Sequence, residues 1–251
     1  MKLIARLIAG SILLTLLGTA AVSEPIRSGE YYWNDDTAHL LISSTSGAGV
    51  QFELDTVGAN LHSCNLSGVI VEGRASVTDI SGTLPVCAVD FVADINSIAV
   101  TVAGGSGNFE NCRSFCGMRA GFEGSYSRLP DNCTRALRKN AHAQFMKTYG
   151  AKEYLKAYEL LKALQSRCLQ FQGINERDST QNDLAATLYH LARNTECWHE
   201  LSMTVAASAD NEDALREQFV GQPGTFEYYL PIARSTWNNQ KLCSHHSVKA
   251  Q

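Results

Sequence analysis

The chain has 251 residues, 45% of them apolar and 18% charged, and a formal net charge of −4 at pH 7. Charge is unevenly divided: residues 24–128 carry 12 acidic and 5 basic residues and no lysine, whereas the remainder is close to neutral. An acidic first half lacks the clustered Lys and Arg that phosphate contacts require, which excludes nucleic acid as its partner.

At the N-terminus, Lys2 and Arg6 are followed by an apolar run broken only by small residues, with Ala21 and Ser23 at the spacing a signal peptidase reads. Residues 1–23 are therefore expected to be an export leader, and the mature chain to start near Glu24. The run is shorter than the ~20 residues that span a bilayer, and no later segment approaches that length, so no membrane span is expected in the mature chain. Export to the periplasm or the exterior exposes thiols to oxidation. All eight cysteines (Cys64, Cys87, Cys112, Cys116, Cys133, Cys168, Cys197 and Cys243) lie in the mature part and are expected to form disulfides.

From Glu24 to Arg128, short apolar runs such as AHLLISS, GVQFELD, SGVIVEG, CAVDFVAD and SIAVTVAGG alternate with Gly, Ser, Asn and Asp. Runs rich in β-branched residues at this spacing predict an antiparallel sandwich or small barrel over 24–128. The aromatic segments at its two ends, SGEYYW (28–33) and FEGSY (122–126), are expected to pair the first strand with the last; Ser28, Tyr31, Tyr32 and Trp33 are also candidate anchors of a binding surface.

The second half, 129–243, reads as helices, followed by a tail over 244–251 expected to be disordered. The first helix is expected to be capped by Asp131 and stopped by Gly150, and the second to run until Gly173. A third follows in STQNDLAATLYHLARN, a fourth in TECWHELSMTVAASA, and one or two more after Asp210. The overall expectation is an α+β chain: a β domain followed by a disulfide-stapled bundle of helical hairpins. If bonding respects the domain break, each half has three pairing patterns. Cys133 with Cys168 is favoured because they would lie at the start of one helix and the end of its antiparallel neighbour; Cys197 with Cys243 follows by elimination. Whether Cys112 and Cys116 pair with each other or clamp Cys64 and Cys87 is open.

KEYLKAYELLKAL, Lys152 to Leu164, resembles the second helix of a tetratricopeptide repeat, with Tyr154, Ala157 and Leu161 near the packing positions. LAATLYHLARNTECWHEL is a second, more divergent copy in which Cys197 replaces the usual alanine; its 40-residue offset from Ala157 exceeds the 34 of that family. An ordinary helical bundle is the alternative. In the β half, SGEYY (Ser28 to Tyr32) resembles the Ser-Gly-x-x-Tyr loop by which some periplasmic lysozyme inhibitors enter the lysozyme cleft. That resemblance implies an inhibitory role for Ser28 and Tyr32, although the loop of those proteins lies within the barrel and not at the mature N-terminus.

Enzyme signatures are mostly absent. GGSGN lacks the last glycine of a nucleophile elbow, HELSM lacks the second histidine of a zinc-protease helix, and no phosphate-binding loop or dinucleotide fingerprint occurs. The acid pairs Asp35/Asp36 and Glu53/Asp55 carry no mark of burial. Cys112 and Cys116 have three residues between them, one more than a thioredoxin-type dithiol. A metal site built from Cys197, His199, Cys243 and His245 is the sharper alternative, since thiolate and imidazole suit zinc or copper. The reading is a non-enzymatic, exported binding protein of the bacterial envelope without cofactor, whose partner is a protein or glycan; metal handling and an unrecognised hydrolase are the alternatives.

Overall fold

A computed structural model describes residues 24–33, 37–44, 49–78, 81–83, 85–105 and 110–245. The leader over 1–23, the Asp35/Asp36 pair and residues 246–251 lie outside the described residues. The first half is one eight-stranded antiparallel sheet: β1 (Gly29–Trp33), β2 (Ala38–Ser44), β3 (Val50–Val57), β4 (Ser63–Ile70), β5 (Arg74–Val77), β6 (Cys87–Ala93), β7 (Ser97–Val102) and β8 (Gly124–Arg128). Their order is β4-β3-β2-β1-β8-β7-β6-β5. The two outermost strands, β4 and β5, are consecutive in the chain and meet at the Val71–Arg74 bridge, so the sheet curls into a nearly closed barrel. Of the sandwich and the barrel, the structure is the barrel.

Strict alternation builds its core. Leu40 and Ile42, Phe52 and Leu54, Val89 and Phe91, Ile98 and Val100 point inward and are all but inaccessible, and the Phe52 and Phe91 rings meet at 4.8 Å. As expected, the aromatic ends join: Tyr31 pairs with Arg128 and Tyr32 with Ser127 in the β1–β8 ladder. Gly124 is required there, because a Cβ would lie 2.7 Å from the Trp33 indole. Inside, the buried Tyr126 hydroxyl donates to the Phe122 carbonyl at 2.7 Å.

The NCRSFCG segment, 111–117, is a clamp. Cys64 bonds to Cys116 and Cys87 to Cys112, tying strands β4 and β6 to the connection between β7 and β8. The segment is pressed close enough that a Cβ on Gly117 would come within 2.7 Å of the His62 ring.

The helical half contains α1 (Arg135–Gly150), α2 (Tyr154–Cys168), α3 (Ile174–His190), α4 (Asn194–Ser202), α5 (Glu212–Gln218) and α6 (Pro223–His245). The cap of α1 is Thr134, whose hydroxyl accepts from the Leu137 amide; Asp131 instead pairs with Arg128 at 3.1 Å. Helix α2 stops at Cys168, five residues before Gly173, and Gly173 then caps α3, which starts at Ile174, five residues ahead of the expected Ser179. Disulfides Cys133–Cys168 and Cys197–Cys243 form as expected.

The turns of hairpins α1–α2 and α3–α4 share one geometry, 40 residues apart. Lys152 and Ala192 both take positive φ, 62° and 58°. In each turn the next amide reaches back five residues, Glu153 to the Thr148 carbonyl at 3.1 Å and Arg193 to Leu188 at 2.9 Å. This is the Schellman closure, which normally selects glycine at the left-handed position. Ala192→Gly is therefore expected to stabilise the protein by about 0.5–1 kcal/mol, read as a raised denaturant midpoint at unchanged slope. A lowered midpoint would show that the turn is held by something other than this closure.

The halves touch. The Glu30 carboxylate on the outer face of β1 accepts from the Arg135 amide at 2.8 Å, and the Tyr32 ring meets Phe171 edge-on at 5.2 Å. A second contact lies between Asn60 and the start of α6, where the Gly224 amide donates to Asn60 Oδ1 at 3.3 Å.

Candidate functional site

The residues singled out in β1 do not converge on one open surface. Ser28 is exposed just ahead of the strand. Tyr31 is buried in the barrel, donates to the Arg27 carbonyl at 2.9 Å, and is held above the usual tyrosine range first by burial. Tyr32 is engaged by Phe171, and Trp33 lies against Tyr126 at 6.0 Å. SGEYY is thus a laddered strand with its lead-in and not a projecting loop. The alternative metal set is corrected outright: Cys197 and Cys243 are joined to each other, so neither offers a thiolate beside His199 or His245. Among the described residues no group of three or more His, Cys, Asp or Glu side chains is placed to hold a metal ion.

A connected groove does exist on the helical half. Helices α1 and α3 face each other across a cleft of about 430 Å³, bridged by two ion pairs and lined by Arg135, Lys139, His142 and Ser179. The Arg138 guanidinium, 3% exposed, donates through Nε to both Glu176 oxygens at 2.8 and 3.1 Å. Farther along, His142 Nε2 lies 3.0 Å from Asp183. That hydrogen bond holds the imidazole above its usual range, against a smaller opposing effect of burial. On the other side of α3, a cleft of about 460 Å³ separates α3 from α6 and is lined by Ser179, Asn182, Asp183, Ser235, Asn238 and Asn239. Ser179 lines both clefts, which therefore meet along α3; together they are the track, from α1 to α6.

The track is rigid in its floor and free at its rim. Asn182 is locked, donating to Thr236 Oγ1 at 3.0 Å and accepting from Asn239 Nδ2 at 3.1 Å. By contrast the Lys139 ammonium, the Ser179 hydroxyl and the Asn238 amide make no hydrogen bond or ion pair in the structure and stand open to a ligand. An ammonium at one end and an amide plus a hydroxyl at the other can pair with a carboxylate and with a peptide main chain, respectively. The His142–Asp183 pair is adjacent to Ser179, but neither His142 nor Ser179 hydrogen-bonds the other, so the cleft does not hold an assembled nucleophile and base.

None of Lys139, Ser179 or Asn238 was singled out from the sequence. For Lys139 and Ser179 the signal that could have found them is the 40-residue offset: once α1 and α3 are seen as equivalent first helices, their outward stripes are expected to line one face; Asn238, on α6, has no such signal. Comparison with known proteins found no family model, no curated protein and no solved structure that matches this chain.

Proposed function

We propose that the protein is an exported, non-enzymatic binding protein of the bacterial envelope whose tetratricopeptide-like helical half holds an extended polypeptide segment in the track across α1, α3 and α6. The observation that carries this is the combination of a locked floor, Asn182 with Thr236 and Asn239, and an uncommitted rim, Lys139, Ser179 and Asn238. Stacked helical hairpins present such concave tracks to extended chains, and side-chain amides pair with a peptide main chain as donor and acceptor together. Lys139 favours a segment with an acidic residue or a free carboxylate at the α1 end.

Four disulfides support an oxidising compartment, and the leader-like residues 1–23 support export as the route there. Among the described residues no helix is long and apolar enough to cross a membrane. The barrel contributes the docking face on β1 that orients the helices, and Glu53 and Asp55, exposed on β3, supply a surface for a basic partner.

The test is a random-octapeptide display selection on the chain from Glu24 onward, repeated on a Lys139→Glu/Asn238→Ala variant. Enriched peptides should carry an acidic residue, and the double variant should bind them at least about tenfold more weakly, the loss of two ordinary polar contacts, with an unchanged melting temperature. Equal binding by the variant, or no enrichment at all, would remove the track as the site.

A further inference from the structure

We propose that a second groove, on the far side of α6 from the track, is a carbohydrate-binding site for a short oligosaccharide. It lies between α4, the segment around Asp210 and the C-terminal part of α6, has a volume of about 690 Å³, and has two tryptophans in its lining, Trp198 and Trp237.

The two indoles differ in a way that points to a ligand. Trp237 is half-buried and fixed: its Nε1 donates to the Ala206 and Ala209 carbonyls at 3.1 and 2.9 Å, and its ring packs against the cluster around Phe226 and Tyr229. Trp198 is 40% exposed, joins none of the apolar clusters, and its Nε1–H has no acceptor. A large aromatic left against water at the edge of a groove is the arrangement expected of a binding residue.

The polar lining divides the same way. Glu212 is committed to Arg234 at 2.7 Å, and Asn211 to capping the Ala214 amide at 2.9 Å. Asp210, Gln240 and the Lys241 ammonium make no hydrogen bond or ion pair in the structure. An acceptor-only carboxylate, a donor–acceptor amide and a donor-only ammonium together match vicinal hydroxyls, each of which both donates and accepts. A pyranose also has an apolar C–H face that lies flat on an indole, whose negative π face attracts it.

Other ligand classes fit less well. Nucleic acid needs several cations, and here Lys241 stands among Asp210 and Glu212. An amphipathic helix needs a continuous apolar floor, which the polar residues interrupt. A drug-like apolar ligand needs near-complete enclosure, and this groove is open. The walls are preorganised, since Cys197–Cys243 joins α4 to α6 one residue from Trp198 and two from Lys241.

The experiment is tryptophan-fluorescence and calorimetric titration of the chain from Glu24 onward with chitotetraose, cellotetraose and maltotetraose, together with a printed glycan array. At least one of these glycans should bind and shift the emission; Trp198→Ala should weaken that binding about tenfold or more, and Lys241→Ala by a smaller factor. Both side chains are exposed, so both variants should melt with the parent. Lys139→Glu/Asn238→Ala, which removes the track's rim, should leave glycan affinity unchanged, so failure of either site is read separately. No binding to any glycan at millimolar concentration, or equal binding by Trp198→Ala, would overturn the assignment.

Discussion

Reducing all four disulfides is expected to abolish cooperative folding at 25 °C. The bonds close loops with sequence separations of 52, 25, 35 and 46 residues. Chain entropy assigns about 4 kcal/mol to a loop of such length. The loop closed by Cys87–Cys112 lies inside that closed by Cys64–Cys116, so the second of these adds less than the first, but the total still exceeds about 10 kcal/mol. Net stabilities of domains are about 5–15 kcal/mol, so little or nothing remains after reduction. Access sets the order of loss. Seven of the eight cysteines are buried, whereas Cys116 is only partly so, and Cys64–Cys116 should therefore react first under mild reductant. Guanidinium melts followed by circular dichroism, with and without reductant, measure the effect, and paired serine substitutions apportion it. A reduced chain that keeps a cooperative melt within about 1 kcal/mol of the oxidised one would mean the crosslinks are incidental.

The barrel was legible in the sequence because it obeys a single rule. In β3 and β6 every second residue is buried, so Phe52, Leu54, Val89 and Phe91 announce both strand and face. The Cys133–Cys168 disulfide was legible for a related reason, since the two cysteines flank an antiparallel hairpin whose length the helical period sets, and Cys197–Cys243 followed only by elimination. Helix α3 was not readable in the same way. Its buried face contains Asp178, Thr180, Gln181, Asn182 and Thr187 as well as Leu184 and Leu188, so the apolar stripe breaks off in its first half and the expected start came too late. The cap of α1 was misplaced because Asp131 and Thr134 are both good caps by type, and only the Arg128 side chain, which draws Asp131 away, decides between them. The pairing of Cys112 and Cys116 depended on which strands the barrel brings to one end, a long-range fact with no local trace. The track and the Trp198 groove were hidden for a further reason. Their useful residues are those without partners, and absence of a partner is a property of the folded surroundings.

The buried polar face of α3 gives the largest single-residue effect. Asp178 is fully inaccessible, and its carboxylate accepts from the Tyr229 hydroxyl at 2.5 Å, the Val205 amide at 2.8 Å and Arg177 Nε at 3.2 Å. Burial first, and then this hydrogen bond, hold the Tyr229 phenol far above its usual range, so it stays a neutral donor at any physiological pH. Asp178→Ala leaves the Val205 amide and the Tyr229 hydroxyl proton without an acceptor, although the Tyr229 oxygen still accepts from the Ala206 amide, while Arg177, a third exposed, regains water. The expected cost is about 3–5 kcal/mol, the range for breaking one partner of a buried charged network. Asp178→Asn keeps the shape and one acceptor and should cost less than half of that. In a cycle with Tyr229→Phe, a coupling of about 1–3 kcal/mol is expected because the two residues share one proton. The same bond anchors the segment at Val205–Ser208, and Ala206 in that segment receives the Trp237 indole proton. Asp178→Asn should then weaken glycan binding at the Trp198 groove with the fold intact, whereas Trp198→Ala should weaken it with no loss of stability. A cost below about 1 kcal/mol for Asp178→Ala would place the cohesion of α3, α6 and the Val205 segment in apolar packing instead of this carboxylate.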